Sequence, residues 1–235
     1  MSSLLSFFMA DTNQASSRSQ SLFPLLPTYL FCIIPLPSDL RFLDTEVRDY
    51  SKEFGIKYNP YVKLPVHLTI SPPFSARQPE RLISDVDGLL TKFEYPSLYT
   101  QTLDVFAFTD KNEQSRVVVF RMVKDRQLQK LHELVLSAVE RHRIVSDKDV
   151  TENERRFGSN YVLNNYSPHI SLFKLPKDQQ VPDSFQRKID TDYHYPIGYS
   201  GLTLLKKEQD PSAAIQGWMY AKKFLRPGFS GEIQP

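Results

Sequence analysis

Two short stretches carry the residues best suited to chemistry. Pro65-Val66-His67-Leu68-Thr69-Ile70-Ser71 and Pro168-His169-Ile170-Ser171-Leu172-Phe173 share one pattern: histidine, aliphatic, hydroxyl, aliphatic. On a strand, residues i and i+2 project to one face. His67 and Thr69 therefore project together, as do His169 and Ser171. Val66, Leu68, Ile70, Ile170 and Leu172 take the other face, which suits burial against helices. Two such strands opening on a shared cleft would bring two imidazoles and two hydroxyls around a small volume. An imidazole has an unperturbed pKa of about 6.5, so near neutrality one ring can take a proton while the other gives one. The hydroxyls can donate to the non-bridging oxygens of a phosphate as charge moves onto them. The set suits phosphodiester cleavage and requires neither a metal nor an organic cofactor.

The chain has five histidines, and the other three do not fit the pattern. Leu134, Ile144 and Pro196 stand two residues after His132, His142 and His194. His132 and His142 belong to a helical region and read as structural or surface groups; His194 reads as a loop residue. There is no H-x-x-x-H or C-x-x-C, and two histidines alone make an incomplete zinc set, so no metal site is expected. Phe74 and Phe173 follow the two motifs. They are candidates for stacking a nucleobase, set against ordinary core packing. Lys174 and Arg116, with Arg121 and Lys222, are strand-borne candidates for contacting phosphate, set against solvated charge.

The elements that must position these groups alternate between the two periodicities. Thr28–Leu36 reads as a buried strand ended by prolines. Leu40, Leu43, Val47, Tyr50 and Phe54 recur at helical spacing, with Ser38 or Asp39 as N-cap and Gly55 as stop. Val66–Ser71 is the first motif strand, cut off by Pro72-Pro73. A second helix begins near Pro79 and carries Leu82, Val86, Leu89 and Phe93. Leu103–Phe108 and Arg116–Met122 read as strands joined through the polar stretch 109–115. A third helix carries Leu128, Leu131, Val135 and Ala138. Residues 143–160 are charged and non-periodic, and read as a loop or insertion. The second motif strand spans about 166–174, and two more follow over Ile197–Leu205 and Trp218–Phe224. The motif histidines lie about 100 residues apart in this order, which suits two lobes of similar build, each offering one copy.

Bulk properties fit a globular protein. The chain has 235 residues, 40% hydrophobic and 24% charged, with a formal net charge of +2. That charge is too small to demand a nucleic-acid partner and leaves room for a local basic groove. The single cysteine, Cys32, sits in an apolar run, excludes an internal disulfide and points to a reducing, cytoplasmic setting. Residues 1–25 read as a disordered tail, 26–225 as one bilobal domain and 226–235 as a second tail. No stretch approaches the length of a membrane span.

The pair His67-Leu68-Thr69-Ile70 and His169-Ile170-Ser171-Leu172 resembles the two H-x-[ST]-x signatures of the 2H phosphoesterase superfamily, which includes proteins called 2′-5′ RNA ligase-like. The opening Tyr29–Leu40, followed by a helix and then the first motif, is similar to the start of those proteins. The resemblance covers about Thr28 to Leu225. It implies an α+β, two-lobed, pseudo-symmetric fold with β-sheets lining a central cleft and helices outside. It also implies that His67 and His169 are acid and base and that Thr69 and Ser171 hold phosphate. The implied substrate is an RNA end or small nucleotide bearing a 2′,3′-cyclic phosphate or a 2′-5′ linkage, with ligation as the reverse reaction. No cofactor, membrane or obligatory protein partner is implied, and a monomer is the default. The alternative is a non-catalytic RNA- or nucleotide-binding module of the same fold.

Overall fold

The structure is a computed structural model that describes residues 26–56, 66–110, 113–176, 178–189, 191–208 and 217–229. The expected tail 1–25 and most of 226–235 lie outside the described residues. Eight strands form one antiparallel sheet, and the helices pack on its back. In chain order these are β1 (Thr28–Ile33), α1 (Pro37–Glu53), β2 (Leu68–Thr69), α2 (Pro79–Leu90), β3 (Leu98–Asp110), β4 (Glu113–Met122), α3 (Arg126–His142), α4 (Glu152–Phe157), a 3₁₀ turn (Leu163–Asn165), β5 (His169–Leu175), α5 (Asp183–Ile189), β6 (Pro196–Ile197), β7 (Gly201–Lys207) and β8 (Trp218–Leu225).

The sheet order is β6-β3-β4-β5-β2-β1-β7-β8. Four strands lie on each side of the β5–β2 junction, so the motif strands, one from each half, meet at the centre. The two lobes thus share one continuous sheet instead of each carrying its own. Period-2 alternation sorts the faces. Phe31, Ile33, Leu68, Ile70, Phe120, Ile170 and Leu204 are buried behind the sheet, among Leu43 and Val47 of α1, Leu82 and Val86 of α2, and Leu128, Leu131 and Val135 of α3. Burial of this apolar set is the main stabilising term of the fold.

Several elements depart from expectation. The first motif strand pairs over two residues only, because the backbone bends at Ile70 and Pro72-Pro73 follows at once. The polar stretch 109–115 is mostly ladder, with Thr109 opposite Gln114 and Asp110 opposite Glu113, so β3 and β4 form one long hairpin. Neither Ser38 nor Asp39 caps α1. The Asp39 carboxylate instead accepts from the Gly198 N–H at 3.1 Å and the Tyr195 hydroxyl at 3.3 Å, which ties α1 to the approach to β7. Residues 143–160 contain α4, closed by a Thr151/Glu154 capping box and by Gly158 at φ 84°. Arg143 pins that helix by donating to the Glu154 carbonyl at 2.8 Å and to Asp149 at 2.8 Å. α5 has no counterpart among the expected elements; it buries a single aromatic, Phe185, which is too little for a periodic signal. Among the described residues no helix is long and apolar enough to cross a membrane.

Candidate active site

The site begins with one pairing at the centre of the sheet. Leu68 of β2 lies opposite Ile170 of β5, antiparallel, and both are buried on the helix side. Continuing that register by one residue sets Thr69 beside His169 and His67 beside Ser171. Directly opposed residues share a face. Thr69, His169 and Ser171 line one cavity on the front of the sheet; the same register, carried past the end of β2, would set His67 with them in a crossed arrangement, each histidine next to the other motif's hydroxyl.

A cavity of about 830 Å³ opens on this face, lined by Thr69, His169, Ser171 and Lys174 together with Phe106, Arg121 and Tyr166. His67 is half-buried just before β2 and is not part of that lining; register alone joins it to the group.

His169 is the most fully described of the four. Its Nδ1 donates to the Ser167 carbonyl at 2.9 Å. A carbonyl only accepts, so Nδ1 carries the proton and Nε2 is left to take or give one. The Phe106 ring meets the imidazole edge-on at 4.8 Å. Burial pushes the His169 pKa below its ordinary value, and the nearby Arg121 charge adds to this, against the opposing Ser167 hydrogen bond. The resting ring therefore favours the neutral form, with an Nε2 lone pair.

Arg121 is opposite His169 in the β4–β5 ladder. Its Nε donates to the Asp104 carboxylate at 2.6 Å, Nη1 to the Ser167 hydroxyl at 3.2 Å, and its guanidinium lies 4.6 Å over Phe106. One cation thus organises β3, β4 and the turn before β5.

The wall opposite β3 and β4 comes from the chain before the second motif: Ser159, Tyr161, Asn165, Tyr166 and Ser167. The Tyr166 hydroxyl donates to the Thr69 carbonyl at 2.9 Å, and its ring stacks on His132 at 3.8 Å. His132 is buried, lines the cavity from behind, and has its pKa pushed down to about 4 by burial. Among the described residues no group of three or more His, Cys, Asp or Glu is placed to hold a metal ion.

Of the further candidates, Lys174 lines the cavity and is exposed, whereas Arg116 turns to the Gln179 carbonyl. Phe74 and Phe173 are placed in the core instead of the cleft. Phe74 is 4% exposed and packs on Phe31 and Tyr29; Phe173 is 7% exposed and packs on Phe54. The reason for Phe173 is a bulge: Val118 pairs with Phe173 and Val119 with Ser171, so Leu172 is the extra residue. Leu172 and Phe173 both face inward, and the alternation resumes out of phase, which brings Lys174 to the front. Lys222 lies on β8, far across the sheet order from the motif pair. The aromatic group that does reach His169 is Phe106, which sequence reasoning misses because its strand gives no local sign of its cross-strand neighbour.

A family model described as the 2′-5′ RNA ligase superfamily matches residues 41–211. No curated protein matches the chain. Among solved structures, the crystal structure of TT0787 of Thermus thermophilus is similar with a TM-score of 0.50 at 17% identity, over 84% of this chain and 97% of that one. E. coli LigT complexed with 3′-AMP is similar at 0.46 and 16% identity, over 87% and 99%. Kluyveromyces marxianus Usb1 is similar at 0.44 and 12% identity, over 83% and 96%. At such identities the first of these likenesses speaks for the fold alone, and the other two carry no weight.

Proposed function

We propose that this chain, which belongs to the 2′-5′ RNA ligase superfamily, is a phosphodiesterase that works by two-histidine acid–base catalysis without a metal. Membership supports phosphoesterase-type activity; the substrate and the residue roles are the proposal. The observation that carries it is the antiparallel pairing of Leu68 with Ile170 at the centre of the sheet, with Thr69, His169 and Ser171 lining one cavity in front of it; His67 joins them by extension of that register. The substrate is an RNA end or small nucleotide with a 2′,3′-cyclic phosphate or a 2′-5′ linkage, and no protein partner is needed.

One histidine takes the proton from a water as its oxygen bonds to phosphorus. The other protonates the departing ribose oxygen as its P–O bond breaks. Thr69 and Ser171 donate to the non-bridging oxygens, whose charge grows in between. Run backwards with a nucleotide hydroxyl as the attacking group, the same proton transfers would join two ends.

The test is a panel of 2′,3′-cyclic nucleotides and of 2′-5′- and 3′-5′-linked dinucleotides, each with EDTA. Turnover that survives the chelator and gives one phosphate isomer supports the proposal. Activity abolished by EDTA and restored by a divalent ion contradicts it, and tight binding without turnover points to the non-catalytic module.

A further inference from the structure

The first motif has little ladder to hold it. β2 makes two pairings with β1, Cys32↔Thr69 and Ile33↔Leu68, and one with β5. Shared acid–base work on one phosphorus needs reacting groups held to within about 0.5 Å. Just past β2, the Ile70 and Ser71 N–H groups donate to the Phe31 carbonyl at 2.8 Å and 3.1 Å, and the Ser71 hydroxyl accepts from the Phe31 N–H at 3.1 Å. The hold from the helix side, and the link to the second motif, come from His132 of α3. Its Nδ1 lies 2.7 Å from the Ile70 carbonyl, just past the first motif. Its Nε2 accepts from the Leu163 N–H at 3.0 Å, in the turn leading to the second. A carbonyl only accepts and an N–H only donates, so both bonds are met by a single species, the neutral imidazole protonated at Nδ1.

The same helix grips Leu163 a second time. Gln129, one turn before His132 on the same helical face, donates to the Leu163 carbonyl at 3.3 Å. Leu163 sits at φ 55°, a left-handed conformation that a leucine adopts only when its surroundings impose it. Both of its peptide groups are held by α3. From there the chain runs directly into Tyr166, which stacks on His132 and reaches back to the Thr69 carbonyl, and then into Ser167, whose carbonyl sets the His169 tautomer.

We propose that His132 is a positioning residue of the active site: a neutral imidazole brace that ties the first motif to the turn carrying the second and so fixes the orientation of His169. The proposal rests on the phosphodiesterase reading for its kinetic consequence, though not for its structural one. His132 touches no reacting atom, and its effect passes through Ile70, Leu163 and Tyr166.

The experiment compares wild type with His132→Phe, which keeps a stacking ring and removes both hydrogen bonds, and with His132→Asn, which keeps a donor near the Nδ1 position. Two quantities are read: the His169 tautomer, from ¹⁵N-histidine NMR, and kcat and KM on a 2′,3′-cyclic nucleotide. Wild type should hold His169 as the Nδ1–H tautomer. In His132→Phe the Nε2–H tautomer should grow in and kcat should fall by about 10–100-fold, the cost of small misplacement. KM should stay within about threefold, and His132→Asn should recover part of the loss. A folded His132→Phe with an unmoved His169 tautomer, or with kcat within about twofold of wild type, overturns the proposal. If His132→Phe does not fold, His132→Leu, which also removes both hydrogen bonds, is judged by the same two criteria. If wild type turns over nothing on the panel, the phosphodiesterase reading fails, and the tautomer comparison decides the brace by itself.

Discussion

β2 and β5 carry nearly the same four-residue phrase and are embedded in opposite ways. β5 is seven residues long and paired along much of its length with β4, with Arg121 opposite its histidine. β2 has two residues and borrows its position from others: β1 on one side, and the Tyr166 hydroxyl and His132 ring at the carbonyls of Thr69 and Ile70. A repeated motif therefore does not imply a repeated scaffold. The pseudo-symmetry extends to the four-residue phrase and to the pairing of Leu68 with Ile170. Their support is asymmetric, and the asymmetry gives the His169 side a depressed pKa and a fixed tautomer.

If the two strands serve one phosphorus, their histidines should fail together. His67→Ala and His169→Ala should each cost about 10³–10⁴ in kcat/KM, and the double mutant should cost little more than either single, because groups acting as a unit are non-additive. Additive losses, measured by steady-state kinetics on the four variants, would separate the two strands into independent sites.

The residues after the motifs give the next contrast. Phe173→Ala should destabilise the fold by about 3–5 kcal/mol through the cavity left beside Phe54, as read by denaturant unfolding, without raising KM. Phe74→Ala should behave alike against Phe31. A raised KM with stability unchanged would restore these rings to the cleft.

How much of this was legible in the sequence depends on range. The motif faces could be read because period-2 alternation is local. The buried backs at Leu68 and Ile170 follow from the same rule. The crossing of the motifs could not be read, since it depends on the pairing of strands about 100 residues apart. Nor could the bulge at Leu172, a one-residue phase change that sends Phe173 inward and Lys174 outward. α4 did leave a trace, Thr151-x-x-Glu154 with Gly158 behind it, but its six residues are too few for a hydrophobic stripe. His132 read as structural from its helical position; that it bridges the two motif segments became visible only when Ile70 and Leu163 came to its two nitrogens.

The hydroxyls should show a smaller effect than the histidines. Thr69→Val and Ser171→Ala should each lower kcat by about 10²–10³-fold, the range for one lost donor to a developing oxyanion, with comparable losses on the two strands. A loss confined to one of them would mean that the crossed pairs are not equivalent.

The smallest expected effect is a shift in pH dependence. Burial and the Arg121 charge both hold the His169 pKa down. Replacing Arg121 by Met removes one cause and leaves the Asp104 carboxylate nearby, so the pKa should rise. The neutral ring then persists to a less acidic limit, and the pH–rate limb assigned to His169 should move to higher pH. The other limb of the profile should stay in place. A shift of that limb to lower pH would contradict the charge arrangement described.

If both imidazoles address one phosphate, a titration of ¹⁵N-histidine-labelled protein with adenosine 2′- and 3′-monophosphate will show it. The ring nitrogens of His67 and His169 should shift along a single saturation curve while those of His142 and His194 stay fixed. Movement of one motif histidine without the other would contradict it.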